Sequence, residues 1–233
     1  MKKIIIISTI LSLVFIFLSC DQETISDNSG NNISESKTDG IDLSQVPNYL
    51  DGTLILKLDT LDRIGDNLIS IYDQSNNLIL NFSTKTNFYS WANSQPHGKD
   101  IIDRDMAIDF LSDYADKSGA IAYYEQTGNI LPAYQQVEDS IADLFVTKGK
   151  NLYTVLYDGL TQSGATYQLI LTFHPSFGSF NNKAESARVY LCAISALCDL
   201  TWFRGSRFYF LGFNGPVNDY GRWRNKFESC CLL

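Results

Sequence analysis

The chain has 233 residues, of which 45% are hydrophobic, 13% aromatic and 19% charged; 26 acids against 18 bases leave a formal charge of -8. That mixture excludes wholesale disorder and a polytopic membrane protein, and the length suits one large domain or two small ones. The acidic balance argues against nucleic acid as a partner, and two histidines far apart in sequence, His97 and His174, exclude a His-rich metal centre.

Met1-Lys2-Lys3 is a short basic start, and in residues 4–18 only Ser8, Thr9 and Ser12 are polar. As a helix that stretch would span about 22 Å, short of a roughly 30 Å hydrocarbon core, so residues 1–19 read as a cleaved signal peptide. The segment Phe17-Leu18-Ser19-Cys20 resembles a bacterial lipobox, with Phe17 where such motifs most often carry Leu. The resemblance implies a lipoprotein: Cys20 carries lipid such as palmitate, begins the mature chain and ties it to a membrane of the cell envelope, facing outside the cytoplasm. Residues 21–47 are mostly Ser, Asn, Asp and Gly, with six acids against Lys37. With Cys20 they read as a flexible, self-repelling tether, residues 20–47.

Residues 53–58, 68–72 and 78–82 read as strands, and the turn Asp73-Gln74-Ser75-Asn76-Asn77 joins the last two into a hairpin. Residues 105–117 carry Met106, Ala107, Phe110, Leu111 and Tyr114 at helical spacing and stop at Gly119. Pro132 opens another helix with Tyr134, Val137, Ile141, Leu144 and Phe145 on one face, closed by Lys148-Gly149-Lys150. Residues 48–148 therefore read as a small α+β domain of undeclared role. His97 sits in a turn-like stretch. Asp103, Asp105 and Asp109 fail as a calcium loop, because Ala107 and Ile108 stand where a ligand and a Gly are required; they read as acids favoured early in a helix. No nucleophile-elbow, zincin, Walker or dinucleotide motif occurs, so no catalytic residue is assigned and the expectation is a protein that is not an enzyme.

The C-terminal part repeats itself. Residues 177–186 (FGSFNNKAES) and 220–229 (YGRWRNKFES) share five of ten positions at an offset of 43. Upstream, Leu156, Tyr157, Asp158 and Gly164 match Leu197, Cys198, Asp199 and Gly205 at an offset of 41, and a two-residue insertion within 212–216 reconciles the two. Two such units with short strands and turn glycines predict stacked Greek keys in a β-sandwich. The pattern resembles the βγ-crystallin family, whose motif has an aromatic and a Gly in a folded hairpin and a later D/N-D/N-x-x-S/T-S stretch. Residues 149–233 then make one all-β, double Greek-key domain, following the α+β domain. The resemblance implies calcium held by loop oxygens: Asn181, Asn182 and Glu185 in copy one, Asn225 and Glu228 in copy two. Glu185 and Glu228 replace the usual hydroxyl, and Arg224 brings a positive charge to the second loop. Weak calcium binding or a structural role is the first functional expectation. A proteinase inhibitor, which some crystallin-type folds are, would use the Asn214-Gly215-Pro216 insertion as its loop. A surface-glycan module would use the run from Trp202 to Phe210.

Two further features belong to this part. Outside the cytoplasm, Cys192, Cys198, Cys230 and Cys231 are candidates for disulfide pairing, with three pairings open. Adjacent Cys230 and Cys231 point to opposite faces of a strand, so the expectation is that at most one faces the core. Alternation also places Phe208 and Phe210 on one face of a half-buried strand and Arg207 and Tyr209 on the other. His174, beside Pro175, reads as an exposed loop residue.

Overall fold

The computed structural model describes residues 40–145, 154–169, 173–190, 194–211 and 214–232. The signal peptide, Cys20, the tether up to residue 39, Lys148-Gly149-Lys150 and Cys192 lie outside the described residues. The order of elements is β1 (Ile41–Asp42), β2 (Asn48–Leu50), β3 (Thr53–Ile55), α1 (Asp59–Asp62), β4 (Ile69–Asp73), β5 (Leu78–Phe82), α2 (Lys85–Asn93), α3 (Gly98–Ser118), α4 (Ala120–Thr127) and α5 (Pro132–Phe145). The repeat follows: β6 (Thr154–Gly159), β7 (Ser163–Leu169), β8 (Phe173–His174) and β9 (Ser186–Tyr190) from copy one, then β10 (Ile194–Cys198), β11 (Arg207–Leu211), β12 (Asn214–Asp219) and β13 (Ser229–Leu232) from copy two.

The repeat builds two stacked sheets by exchange. β6, β7 and β9 of copy one take β12 of copy two as a neighbour, and β10, β11 and β13 of copy two take β8 of copy one. Each copy thus gives its third strand to the other's sheet, which is the double Greek key that the duplication predicts. The preceding segment then extends both sheets from copy two's strands. β1 pairs parallel with β12, Ile41 opposite Val217, and β4 pairs parallel with β11, from Arg207 opposite Ile69 to Phe210 opposite Tyr72. A bare sheet edge is a template for unwanted pairing, and these additions cover two of them. The result is a five-stranded sheet, β1-β12-β9-β6-β7, and an eight-stranded one, β3-β2-β5-β4-β11-β10-β13-β8. Residues on both sides of position 148 belong to this one sheet and to one compact unit. Residues 40–47, assigned by composition to the tether, are likewise part of the fold: Leu43 and Val46 are buried.

Helices cover the other face of the eight-stranded sheet, so that sheet is buried on both sides. One core lies between the sheets and holds Leu156, Val189, Leu197, Phe208, Phe210, Val217, Trp223 and Phe227. The other lies under the helices and holds Ile69, Ile71, Phe88, Ile108, Leu111, Tyr134, Trp202, Phe203 and Tyr209. The strand alternation in 207–210 is as expected, but the strand is not half-buried: Arg207 is 5% exposed and Tyr209 0%. Cys230 and Cys231 do point to opposite faces, and each enters a different core, both fully buried. The expectation that at most one faces a core fails because the sheet has two. Cys198 and Cys231 are free thiols, and burial pushes the Cys198 thiol up to about 11. His174 is no loop residue either. It lies on β8 opposite Cys230, 7% exposed.

Local signals account for the helix ends. Thr84 accepts the Asn87 N–H at 3.2 Å and caps α2. Gly119 ends α3 as predicted, at φ 77°. That helix starts at Gly98, seven residues before the periodic stretch, because His97 adopts a left-handed φ of 66° and frees the turn to enter the helix there.

Candidate functional site

The two copies meet at a pair of loops related by the repeat. After Gly178–Phe180 and Gly221–Trp223, each a single tight turn, Asn182 and Asn225 take left-handed φ of 56° and 54°. Asn tolerates that conformation better than most residues with a Cβ, a local reason for Asn at this place in both copies. The loops then grip one another. Asn182 N–H donates to the Phe227 carbonyl and Asn225 N–H to the Ala184 carbonyl, each at 2.9 Å. The side chains cross in the same sense: Asn182 Nδ2 donates to Glu228 Oε1, and Asn225 Nδ2 to Glu185 Oε1 at 3.2 Å. Phe177 N–H to the Glu228 carbonyl at 2.8 Å and Tyr220 N–H to the Glu185 carbonyl at 3.0 Å complete the pattern.

This regroups the residues that the sequence singles out. Asn182 stands with Glu228 of the other copy and Asn225 with Glu185, rather than with the Glu of its own loop. Asn181 is turned inward, its Oδ1 accepting the Phe177 N–H at 2.8 Å. At the equivalent place in copy two, Arg224 forks onto Asp219, with Nε 2.8 Å from Oδ1 and Nη2 2.8 Å from Oδ2. Asp219 occupies the position of Ser176. Both accept the N–H of the turn glycine, Gly221 at 2.6 Å and Gly178 at 3.1 Å. The charge of Arg224 is thus matched within its own loop.

The donor set can be weighed against calcium. Each crossed pair offers one carboxylate, one Asn side-chain oxygen and nearby peptide carbonyls, all hard oxygens of the kind that ion takes, six to eight at a time. Among the described residues no three His, Cys, Asp or Glu side chains converge on a metal position. Such a set fits a low-affinity site in which carbonyls and water make up the number.

The motif's final Ser has a clear task in both copies. Ser186 Oγ accepts the Gln162 N–H at 3.0 Å and donates to the Gly159 carbonyl at 2.6 Å; Ser229 Oγ accepts the Phe203 N–H at 3.1 Å and donates to the Leu200 carbonyl at 2.6 Å. Each Ser pins the folded hairpin of its copy. Gly164 and Gly205, the matched glycines of those hairpins, carry positive φ, 82° and 75°. A Cβ there would stand 2.2 Å from Asp158 Oδ1 and 2.0 Å from Asp199 Oδ1.

Elsewhere, the sequence reading missed the most heavily buried charges. Asp105, read as a helix-start acid, is fully buried on α3. Its Oδ1 accepts from Arg207 Nη1 at 2.6 Å and the Tyr209 hydroxyl at 2.5 Å, while Oδ2 accepts from the Tyr89 hydroxyl at 2.8 Å and faces Lys85 Nζ at 3.6 Å. Arg207 also donates to Asp109 at 2.7 Å. Burial by itself raises the Asp105 carboxyl. The Arg207 guanidinium, the Lys85 ammonium and the two hydroxyls outweigh that and hold it below its ordinary value. Both carboxylate oxygens are engaged, so the cluster locks α2 and α3 to β11. No spacing in the sequence announces it, because Arg207 and Tyr209 lie 102 and 104 residues from Asp105.

The two segments named for alternative roles are placed as follows. Of the run from Trp202 to Phe210, Trp202, Phe203 and residues 207–210 are buried, and Arg204 is its exposed base. Asn214–Asp219 is a strand paired along β9, with Pro216 opposite Arg188, rather than a projecting inhibitor loop. His97 is an exposed turn residue.

Comparison with solved structures finds βγ-crystallin domains over the β region. A βγ-crystallin from Ciona intestinalis is 19% identical, covers 35% of this chain and 99% of its own, with a TM-score of 0.31. One from an archaeon is 16% identical, with 36% and 100% covered and a TM-score of 0.32. A βγ-crystallin domain from Flavobacterium johnsoniae is 17% identical, with 35% and 93% covered and a TM-score of 0.30. No family model and no curated protein matches the chain. The double Greek key stands on the strand order and register given above.

Proposed function

We propose that the chain is a lipid-anchored protein of the bacterial cell envelope, tied to its membrane through Cys20, and that it acts by binding rather than by catalysis. Its crystallin-like part takes calcium weakly at the crossed loops, where the ion reinforces the contact between the two copies. The observation that supports this is the reciprocal placement of Asn182 with Glu228 and of Asn225 with Glu185. Each pair draws one residue from each copy, so a cation held there bridges both. Glu228, Asn182 and the neighbouring carbonyls would hold the first ion, Glu185, Asn225 and theirs the second, and the ion would supply charge neutralisation between the loops. No cofactor other than calcium is invoked.

Titrating the chelator-treated chain with calcium while following heat and melting temperature tests this. A dissociation constant on the order of 10⁻⁴–10⁻³ M, as in extracellular modules, and a melting temperature that climbs with calcium are the expected results. Absence of both heat and shift in the millimolar range leaves the domain a scaffold. Glu228→Ala is expected to remove one site and leave the other. For the anchor, labelled palmitate should enter the wild-type chain in a bacterial host and not Cys20→Ser, which should leave the membrane fraction; retention of label by Cys20→Ser sinks that part.

A further inference from the structure

A cleft of about 300 Å³ lies where the helical layer meets β8, lined among others by Tyr124, Glu138, Asp139, Phe173 and His174. Its wall reaches Pro175 and Ser176, where β8 runs into the first crossed loop, but no site assigned above uses Glu138 or Asp139. Glu138 is 3% exposed, and its Oε1 has no hydrogen-bond partner among the described residues. A carboxyl buried in this way costs stability unless something pairs it, and α5 could have carried an apolar residue here at no loss to its packing face. Among the described residues the lining contains a second acid, Asp139, at the exposed rim, and no Lys or Arg. Gln135 Nε2 holds Asp139 Oδ1 at 3.1 Å. Ile130, Ala142 and the Tyr124 and Phe173 rings supply apolar wall.

These features favour one ligand chemistry. An anion would meet Glu138 and Asp139 and, among the described residues, neither Lys nor Arg. A wholly apolar ligand would leave the Glu138 oxygen unpaired. A compact ammonium with an apolar body satisfies each part: the charge and its N–H donors go to Glu138 and Asp139, the body to the aliphatic wall and the aromatic faces, which also attract cations. We propose that this cleft binds a small organic cation, an amine bearing an apolar or aromatic group, through Glu138.

A proton accompanies the binding. In the free protein burial, and then the neighbouring Asp139 charge, push Glu138 up to about 8, against a Tyr134 hydrogen bond that lowers it, so it is protonated at neutral pH. An arriving ammonium stabilises the carboxylate, and the displaced proton passes to buffer. The titratable groups around it are Tyr134 and Asp139 on α5, Tyr124 on α4, His174 on β8 and Cys231 on β13.

The test compares three probes of one shape on the full chain: 2-phenylethylamine, 2-phenylethanol and phenylacetate. The amine is expected to bind with a dissociation constant of about 1 mM or tighter, at least ~10-fold better than the alcohol, with phenylacetate weakest. Calorimetry in two buffers of different ionisation heat should show proton release with the amine alone. Glu138→Gln, which keeps the shape of the protonated side chain, should weaken the amine ~10-fold or more and abolish the proton release, and Asp139→Asn should weaken it less. The proposal is overturned if phenylacetate or the alcohol binds as well as the amine, if the amine fails to bind at about 10 mM, or if a folded Glu138→Gln binds it like wild type. The three-probe comparison on wild type decides the matter without any variant.

Discussion

Thr161-Gln162 and Trp202-Phe203 occupy the same bend in the two copies of the motif, with φ of 54° and 55° in the first and 59° and 60° in the second. The backbone is the same and so is its fastening, a Ser hydroxyl that accepts the N–H of the second residue. Their surroundings differ. Thr161 is exposed, whereas Trp202 is 2% exposed and packs edge-on to Tyr124 and Tyr134 at 5.6 and 5.3 Å. A left-handed pair of bulky residues is strained by about 1–3 kcal/mol each, and in copy two the helical layer offsets that by burying both rings. Local chemistry thus sets the bend, while the layer packed outside it selects the side chains.

Trp202→Ala and Thr161→Ala break this comparison most directly. Removing the Trp202 ring is expected to cost about 3–5 kcal/mol by denaturant unfolding, since it empties the helix-side core. Equal losses from the two substitutions would refute the asymmetry. Next comes Arg207→Met, expected to cost about 3 kcal/mol because Asp105 is left buried without its main cation. Pairing it with Asp105→Leu should recover much of that loss in a double-mutant cycle. The same variant has a pH signature. The folded-state Asp105 carboxyl lies below its ordinary value, so its contribution is present at neutral pH and fades as acid protonates it; Arg207→Met should lose less stability on acidification than wild type.

The glycines of the two hairpins sharpen the comparison further. Gly164→Ala and Gly205→Ala are each expected to cost about 2 kcal/mol for a Cβ at positive φ, with Gly205→Ala the worse. There the new Cβ would also meet Leu200 Cγ at 2.9 Å, whereas in copy one Asp158 alone stands close. Glu138 tests the helix-side core by proton linkage. Its ordinary value is 4.5 and burial raises it to about 8. Between those values the unfolded chain loses the proton and the folded chain keeps it, so stability falls as pH rises, by about 1.4 kcal/mol per unit at most. Glu138→Gln should flatten that slope in unfolding midpoints taken from pH 5 to pH 8. Thr161→Ala is the smallest effect, expected within about 0.5 kcal/mol.

Much of the repeat was legible because its requirements are local. Positive φ at Gly164 and Gly205, the left-handed Asn182 and Asn225 and the hairpin Ser186 and Ser229 each need a particular residue at one place in the chain. The β4–β5 hairpin and α5 were readable for the same reason, from turn residues, an opening Pro and apolar periodicity. Three short helices, α1, α2 and α4, escaped because each is too short for its apolar residues to set a period. The candidate site was half legible. Glu185, Glu228, Asn182 and Asn225 were identified, but the sequence paired them within copies.

By itself, then, the sequence determined the duplicated double Greek key and the residues of its loops, since turn geometry and strand alternation act over a few positions. The tertiary structure alone decided that the eight-stranded sheet is covered on both faces, that Asn182 answers to Glu228 and Asn225 to Glu185, and that Asp105 is neutralised by Arg207. Those outcomes depend on which strand lands beside which, and on burial that turns an ordinary acid or base into one that must find its partner across the fold.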